Sequence, residues 1–393
     1  MKRRRWLAAA CAHCAGWGAG SAVAQEAPPV DERWAAPTRF TRPELSSDEG
    51  GLWAMMDREE TRLRRSSFLI RDAALRDYLQ GIACKLGADH CPDVRVYPVR
   101  TPYFNASMAP NGMMQVWSGL LLRVDNEAQL AAILGHEMGH YLRRHTVERL
   151  RDAKARSSFS MFMGLFGVVG LLGQLGALAG LFGFSRDQER EADRIGLLLM
   201  RRAGYDPREA AKVWDNLRAE LAATPGGDPT SSSPMFASHP PSDERSQTLT
   251  ELAAKDSGGF VGASELGSRL AALQHDMLDD ELRRGQPAET QALLGRLIER
   301  SPQRGDLRYF RGESRRLRDT DGDAAAALAD FAEADRLGGA PPALYRAWGG
   351  LHHKAGRNDA ARDAWRRYLE LAPGAPDAAL VRAHLNELGE KST

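Results

Sequence analysis

The sequence predicts an α+β fold in which a mainly helical domain with a small antiparallel sheet is followed by an all-α domain of helical repeats. Three observations support this fold class. Two short stretches with alternating apolar residues precede a long apolar stretch of helical period, as expected of strands that lead into a helix. Later segments keep the helical period. Near the C-terminus, an apolar pattern recurs after 34 residues.

Length and composition are those of an ordinary globular protein. The chain has 393 residues, which is enough for two domains. It is 43% hydrophobic and 27% charged, and its net charge is +1. Because the charge is nearly balanced, we expect no nucleic-acid partner.

The N-terminal residues have the pattern of an export signal. A basic start (Lys2–Arg5) is followed by an uncharged apolar run and by Ala22-Val23-Ala24, a typical cleavage pattern. Residues 1–24 are therefore predicted to be a signal peptide, and residues 25–45, rich in proline and charge, a mobile leader. A disordered basic tail is the alternative.

The four cysteines divide into two pairs. Cys11 and Cys14 would be removed with the signal, which leaves Cys84 and Cys91. In an exported protein such a pair predicts a disulfide bond that closes a short loop. Two free thiols or half of a metal site are the alternatives.

The two strand patterns precede the most informative helix. Residues 94–99 alternate as a strand, and residues 113–117 form a second one after an Asn111-Gly112 turn. The segment that follows, from Asp125 onward, begins with capping residues and continues with apolar residues at helical spacing. A small antiparallel sheet is therefore predicted to lead directly into this helix.

That helix contains an H-E-x-x-H pattern. The spacing of His136 and His140 puts both imidazoles on one face, where they can reach one metal ion. Glu137 then lies beside the metal and can polarise a bound water. A helix with two ordinary histidines is the alternative. His145 is predicted to lie on the opposite side of the helix, at the surface.

A catalytic zinc site needs a third protein ligand and an open position. Glu189 and Asp193 are four residues apart, on one face of a later predicted helix. One of them can bind zinc while the other orients an imidazole. Taken alone, this spacing is also typical of a solvated helix face.

Together, these residues resemble the zinc metalloprotease superfamily of HtpX, the CaaX prenyl endopeptidase and BepA, which are gluzincins with a zincin-type domain. That family pairs H-E-x-x-H with S-R-x-x-E-x-x-A-D, present here from Ser185 to Asp193. The resemblance implies one Zn²⁺ per chain, bound by His136, His140 and Glu189. It further implies that Glu137 is the general base and Asp193 an associated acid or orienting group. Glu191 has no matching role and is interpreted as a surface carboxylate.

The resemblance also implies two further elements of the site. In the BepA-like branch an H-P pair approaches the zinc, and His239-Pro240 matches it. His239 is therefore expected to be a fourth ligand or an oxyanion stabiliser, with an ordinary loop histidine as the alternative. Family proteases bind extended substrate along a sheet edge. That edge is assigned to Met113, Met114, Gln115 and Val116, although a fully paired inner strand is also consistent with the pattern.

Residues 157–185 carry no charge before Arg186 and are rich in glycine. Their length would allow one membrane crossing, but His140 and Glu189 must meet at one metal, so both ends of the stretch lie on one side. Two crossings need about forty apolar residues, more than are present. We expect helices packed over the active site or a peripheral contact with a membrane surface. A true membrane segment, and with it a membrane-embedded protease, is the alternative.

The C-terminal recurrence resembles tetratricopeptide (TPR) repeats. Ala327, Phe331 and Ala334 recur as Ala361, Trp365 and Tyr368. The predicted domains are a metalloprotease domain at 46–255 and a TPR-like domain at 256–393. An unrelated helical hairpin is the alternative for the tail.

The resemblance finally implies a function. It is that of a periplasmic zinc endopeptidase that hydrolyses misfolded or misassembled outer-membrane proteins and has a chaperone-like quality-control role. The implied partners are unfolded or misassembled proteins and, through the TPR-like domain, the outer-membrane β-barrel assembly machinery. The alternative is a chaperone or adaptor whose metal site is capped or idle.

Overall fold

The computed structural model describes residues 34–155, 183–224, 226, 234–239 and 243–389. The predicted signal (1–24), the first part of the predicted leader (25–33) and the uncharged stretch 157–182 lie outside the described residues. The predictions made for them stay predictions.

The described residues are mainly helical and form one small sheet. The strands are β1 (Arg95–Val99), β2 (Ala106–Met108) and β3 (Met113–Trp117). The helices up to residue 222 are α1 (Asp48–Arg65), α2 (Ala73–Gly87), α3 (Ser118–Arg123), α4 (Glu127–Leu142), α5 (His145–Ala155), α6 (Arg186–Arg202) and α7 (Glu209–Ala222). The later helices are α8 (Pro234–Ser238), α9 (Asp243–Ala253), α10 (Ala263–Leu270), α11 (Gln274–Arg283), α12 (Pro287–Arg300), α13 (Gly305–Arg318), α14 (Asp323–Leu337), α15 (Ala343–Lys354), α16 (Asn358–Leu371) and α17 (Ala378–Glu387).

Helix starts follow local capping chemistry. The side chains of Ser47, Asp72 and Asn126 accept hydrogen bonds from the first turns of α1, α2 and α4. Ser185 and Gln188 form a complete capping box at the start of α6. The two helices of the predicted metal site therefore begin at residues that the sequence specifies.

The sheet is mixed, which corrects the predicted antiparallel arrangement. Its strand order is β1-β3-β2, with β1 parallel and β2 antiparallel to β3. The turn at Asn111-Gly112 joins β3 to β2, because Ala106–Met108 is the segment immediately before it. β1 is then left with the other edge of β3, which it joins in parallel.

The core surrounds α4, whose residues from Glu127 to Leu142 are all buried. Apolar residues of α2, the sheet, α6 and α7 pack on it in one continuous cluster. A disulfide bond joins Cys84 to Cys91, as the sequence predicts. It ties the end of α2 to the short 3-10 helix Ala88–Asp93 that leads to β1.

The described part of the predicted leader is held against the domain, which corrects the prediction that residues up to 45 are mobile. The carbonyl of Pro37 lies 2.8 Å from Nε2 of the buried His90. Arg39 makes two hydrogen bonds to the carboxylate of Asp93, and the Phe40 ring packs on Tyr141 at 5.1 Å. These contacts are distant in sequence, so composition could not reveal them.

The C-terminal helices form a helical repeat region. The recurring apolar residues Ala327, Phe331, Ala334, Ala361, Trp365 and Tyr368 are all buried. A Cβ on Gly312 would lie 2.6 Å from Phe331, and one on Gly349 would lie 2.4 Å from Trp365. The glycines thus let α13 approach α14 and α15 approach α16 in equivalent ways. The close approach of Gly312 to Phe331 identifies α13 as the first helix of the earlier unit.

The apolar core and a buried group of ion pairs continue across the predicted domain boundary at residues 255–256. Arg123 of α3, 5% exposed, pairs with Glu220 of α7 and Glu281 of α11, both at 2.8 Å. Arg284 also pairs with Glu281 at 2.8 Å. Among the described residues, no helix is both long and apolar enough to cross a membrane.

Candidate metal centre

Two helices without bulky side chains at their crossing bring the site together. A Cβ on Gly139 of α4 would lie 2.9 Å from the carbonyl oxygen of Ala192 on α6. One on Gly196 of α6 would lie 3.0 Å from the backbone nitrogen of His136. Only glycine allows this approach of the two backbones, and the approach lets a carboxylate from α6 reach the imidazoles of α4.

The three predicted zinc ligands meet at one point. Nε2 of His136 and Nε2 of His140 are 3.1 Å apart, and Oε1 of Glu189 lies 3.2 Å from Nε2 of His140. All three side chains are buried. The spacing predicted that His136 and His140 share one face of α4 and that Glu189 and Asp193 share one face of α6. The structure places these two faces opposite each other.

His239 supplies a fourth donor atom. It follows α8, and its Nδ1 lies 3.1 Å from Nε2 of His136 and 2.7 Å from Oε1 of Glu189. One ligand atom from each of the four residues lies within 4.8 Å of all the others. His239 is 3% exposed, so it is not an ordinary loop histidine.

This donor set fits a zinc ion. Tetrahedral zinc with bonds of 2.0–2.1 Å places neighbouring ligand atoms about 3.3 Å apart. The separations of 3.1, 3.1, 3.2 and 2.7 Å are close to that value. Imidazole nitrogens and a carboxylate oxygen are also the ligands that zinc prefers. The cluster is therefore a candidate divalent-metal site with four protein donors.

Asp193 orients one of the imidazoles. Its Oδ1 lies 2.9 Å from Nδ1 of His136, on the side of the ring opposite the donor cluster. Burial alone would raise the pKa of Asp193, but Arg245 and His136 outweigh it and keep the carboxyl ionised. The predicted role of an orienting group agrees with this geometry.

The structure places Arg245 in the site, although no pattern in the sequence indicated a role for it. Its guanidinium makes hydrogen bonds of 2.6 and 2.8 Å to Asp193, and Nη1 lies 2.9 Å from Oε2 of Glu189. The guanidinium also lies 3.9 Å from the centre of the Trp214 ring. Its positive charge compensates the negative charges of the buried Asp193 and Glu189 carboxylates. A single arginine after a polar loop is normally solvated, so the sequence contained no signal for this contact.

Glu137 lies beside the donor cluster without joining it. Its Oε1 is 3.6 Å from Nε2 of His239 and makes no hydrogen bond with the described residues. Burial raises the pKa of Glu137 to about 7, against the lowering effect of His239. A backbone hydrogen bond from Met108 of β2 also lowers it. A carboxylate with a pKa near neutrality is suited to take up and release a proton.

The comparison with protein families agrees with this geometry. Residues 69–253 match the model of peptidase family M48. These residues form an M48 peptidase domain. The matched range includes every donor of the cluster as well as Glu137, Asp193 and Arg245.

Three similar proteins share the M48 domain. The mitochondrial metalloendopeptidase OMA1 of Arabidopsis thaliana is 35% identical over 156 residues, which cover 40% of this chain and 31% of that protein. The beta-barrel assembly-enhancing protease of Escherichia coli K12 is 28% identical over 171 residues, covering 39% and 35%. The metalloprotease YcaL of Escherichia coli K12 is 32% identical over 156 residues, covering 38% and 58%. The chain thus spans less than two thirds of the length of each of these relatives.

The prediction that β3 is the sheet edge that binds substrate is wrong. β3, which contains Met113, Met114, Gln115 and Val116, is paired on both sides and fully buried. Its backbone has no edge to offer to a substrate. The strand at the sheet edge next to α4 is β2, whose three residues were not predicted to form a strand.

Two residues predicted to lie at the surface of the M48 domain are also corrected. His145 is 1% exposed, and its Nδ1 lies 2.9 Å from Nδ1 of His140. Oε2 of Glu191 lies 3.1 Å from Nε2 of His145. The helix was expected to continue through residue 145. Instead it ends at Leu142, and Arg144 adopts a left-handed conformation with φ of 59° that turns His145 back under α4.

Phe184 covers the cluster of the M48 domain from outside. Its ring stacks on the His140 imidazole with centroids 3.8 Å apart, and its backbone N–H donates to the carbonyl of Ser238. Phe184 belongs to the stretch 157–185 that was predicted to pack over the active site. The contact of Phe184 agrees with a position over the site, but the predicted helices concern residues 157–182, which lie outside the described residues, so that expectation stays a prediction.

Proposed function

We infer that this chain is a zinc-dependent endopeptidase. The observation that carries the proposal is the position of Glu137 beside a buried cluster of three imidazoles and one carboxylate within an M48 domain. A purely structural zinc site needs four donors and has no use for a further carboxylate with a pKa of about 7. The metalloendopeptidase and protease names of the relatives support the same activity.

The residues of the chain divide the chemistry among them. Zinc held by His136, His140 and Glu189 would polarise the scissile carbonyl and acidify a water molecule. Glu137 accepts the proton of the attacking water and delivers it to the nitrogen of the leaving amine. Asp193 keeps the His136 ring in place throughout, since it accepts a hydrogen bond from Nδ1.

His239 is proposed to be a movable cap. In the described conformation its Nδ1 occupies the fourth donor position, which a substrate carbonyl must enter. Catalysis therefore requires His239 to withdraw. His239 directly follows the five-residue helix α8, whose Met235 and Phe236 are buried, so the proposed movement is one of the His239 side chain rather than of the helix.

The outer edge of β2 is proposed to hold the substrate. The N–H of Trp117 donates to the carbonyl of Asn105, and the N–H of Ala109 donates to the carbonyl of Met113. These two hydrogen bonds show which residues along β2 face β3, because peptide groups point to alternate sides of a strand. The peptide groups of Ala106 and Met108 point away from β3. Met108 is the residue whose backbone reaches Glu137, so an extended peptide added at this edge would pass the general base.

The compartment and substrate class are proposed to be those of the bacterial envelope. A disulfide bond between Cys84 and Cys91 suits an oxidising compartment such as the periplasm. One relative is named for enhancing β-barrel assembly. We therefore assign misfolded or misassembled outer-membrane proteins as substrates, and propose that the C-terminal helical repeats recruit the assembly machinery.

A chaperone or adaptor with an idle site is the second candidate function. The observation that favours it is the fourth donor, since His239 lies in the donor cluster and Phe184 stacks on the His140 imidazole. Binding of unfolded proteins without hydrolysis would follow if His239 never withdrew.

One experiment separates the two functions. Purified protein and Glu137→Gln are each measured for zinc content and for cleavage of an unfolded protein such as reduced, alkylated casein. We expect one zinc per chain in both, and cleavage lower by at least ~100-fold in the variant, the usual scale for losing a general base. Equal and negligible cleavage by both proteins, with zinc bound, would instead support the chaperone or adaptor.

A further inference from the structure

The His140 imidazole has a buried polar partner that the proposed mechanism does not use. His145 is 1% exposed, and its Nδ1 lies 2.9 Å from Nδ1 of His140. Its other ring nitrogen, Nε2, lies 3.1 Å from Oε2 of Glu191. Arg143 holds the second oxygen of that carboxylate at 2.7 Å. The four side chains form one continuous polar chain that begins at the donor cluster and ends at the surface.

The direction of the hydrogen bonds along this chain follows from the donor cluster. Nε2 of His140 faces the other donors, at 3.1 Å from His136 and 3.2 Å from Glu189. A neutral imidazole that binds metal through Nε2 carries its proton on Nδ1. That proton points to Nδ1 of His145, which must accept it.

The same reasoning assigns the second bond. Once Nδ1 of His145 accepts, its own proton lies on Nε2 and is donated to Glu191. Nε of Arg143 lies 2.7 Å from the other oxygen of the same carboxylate, so a positive charge faces Glu191 from the side opposite His145. A carboxylate paired with a guanidinium is a strong hydrogen-bond acceptor.

We propose that His145 and Glu191 are positioning residues that hold His140 in the orientation and tautomer needed to bind a divalent metal. This inference deepens the proposed function and rests on it. His136 is oriented directly by Asp193 at 2.9 Å, whereas His140 is oriented by a carboxylate acting through a second imidazole.

The helix geometry explains why the intermediate histidine is needed. Glu191 is two residues from Glu189 on α6, so the two side chains leave the helix in nearly opposite directions. A carboxylate at 191 cannot reach His140 when the one at 189 joins the donor cluster. His145 bridges this distance because the left-handed Arg144 turns the chain back at the end of α4.

Metal affinity measures this role without relying on catalysis. The full-length protein and its variants are loaded with Zn²⁺, and affinity is measured by competition with a chromophoric chelator. His145→Leu and Glu191→Gln are each expected to weaken Zn²⁺ binding by roughly 10-fold or more, the usual effect of removing a group that orients a ligand. His145→Asn, whose side-chain oxygen can replace Nδ1 as acceptor, should recover most of the affinity.

Two further readouts separate positioning from general stability. The Co²⁺-loaded protein should show an altered visible absorption spectrum in His145→Leu and a near wild-type one in His145→Asn. The double variant His145→Leu/Glu191→Gln should bind Zn²⁺ no more weakly than the worse single variant, since the residues act in series. Glu148→Gln is the matched control, because Glu148 also links α5 to α6 through Gln188 and does not touch the cluster.

The outcomes are distinct. Zn²⁺ affinity and Co²⁺ spectra unchanged in both single variants, with Zn²⁺ bound normally by the wild type, would overturn the positioning role and leave the proposed protease intact. Equal losses in His145→Asn and His145→Leu, matched by equal losses of metal-free thermal stability, would also overturn it. A wild-type protein that binds no Zn²⁺ would instead refute the proposed function itself.

Discussion

Nδ1 of His239 lies 2.7 Å from Oε1 of Glu189, so a residue from a separate short segment shares the donor cluster with a ligand from α6. Loss of His239 should leave three donors and free the fourth position. His239→Ala is expected to retain one zinc per chain and to cleave casein at least as fast as the wild type. Zinc content and initial rates test this. Cleavage reduced tenfold with zinc retained would mean that His239 stabilises the oxyanion rather than capping the site.

The ligand assignment predicts a graded effect on the metal. His136→Ala, His140→Ala and Glu189→Ala each remove one of three essential donors and should abolish stoichiometric zinc after dialysis against a weak chelator. Glu244→Gln, on an exposed carboxylate that pairs with Arg190 of the same helix as Glu189, is the control and should retain zinc. Stoichiometric zinc in Glu189→Ala would show that another carboxylate is the ligand.

The substrate edge can be tested by proline. Ala106→Pro removes an N–H that points away from β3, so folding and zinc content should change little. Cleavage should fall roughly tenfold, the scale of one lost hydrogen bond to the substrate. Ser107→Pro removes an N–H that faces Gln115 of β3 and should lower thermal stability instead. If Ala106→Pro cleaves normally, the substrate does not use this edge.

Glu281 should make stability sensitive to acid. Burial raises the pKa of Glu281, but Arg123 and Arg284 outweigh it, so the pKa lies below the ordinary value of 4.5. A group with a lowered folded-state pKa contributes stability above its unfolded-state pKa, and that contribution is lost as the pH falls through the folded-state value.

Glu281→Gln should therefore lower the free energy of unfolding by about 3–5 kcal/mol at neutral pH, because it leaves buried arginines undercompensated. The difference from the wild type should shrink as the pH falls below 4.5. Urea unfolding at several pH values measures it. Asp279→Asn, a more exposed position on the same helix, is the control. A difference independent of pH would contradict this account.

The Cys84–Cys91 bond should stabilise the domain modestly. The bond closes a short loop, because the two residues are seven apart. Removing it with Cys84→Ser/Cys91→Ser should lower the free energy of unfolding by about 2.5 kcal/mol, mainly by loosening the unfolded chain. Intact mass after alkylation without reductant should show no free thiol at these positions in the wild type. Two alkylated thiols in freshly purified protein would contradict the bond.

Local patterns predicted which residues of α4 and α6 the structure brings together at the candidate site. The i, i+4 spacings of His136 with His140 and of Glu189 with Asp193 are properties of a single helix, and periodicity together with capping residues specifies such helices. The strand at residues 113–117 was predicted from alternating residues, which is also a local pattern. The resemblance to M48 proteases then linked the two helices into one site.

The errors have a common physical origin. The pairing of β3 on both sides depends on the path of the chain between β1 and β2, which the hydrophobic periodicity of the sequence does not indicate. The position of His145 depends on one left-handed residue, Arg144, whose side-chain type normally avoids that conformation. Arg245 reaches Asp193 only because α9 packs beside α6.

The sequence by itself identified the residues to which we assign the chemistry. His136, Glu137, His140 and Glu189 are specified by spacing on helices that begin at capping residues. Only the tertiary structure decided what surrounds them. It set the inner position of β3, the contacts of His145 and Glu191 with His140, and the pairing of Arg245 with two buried carboxylates. Helical periodicity is a local property of the backbone, whereas these contacts join segments that are distant in sequence and depend on how closely glycines allow the helices to approach.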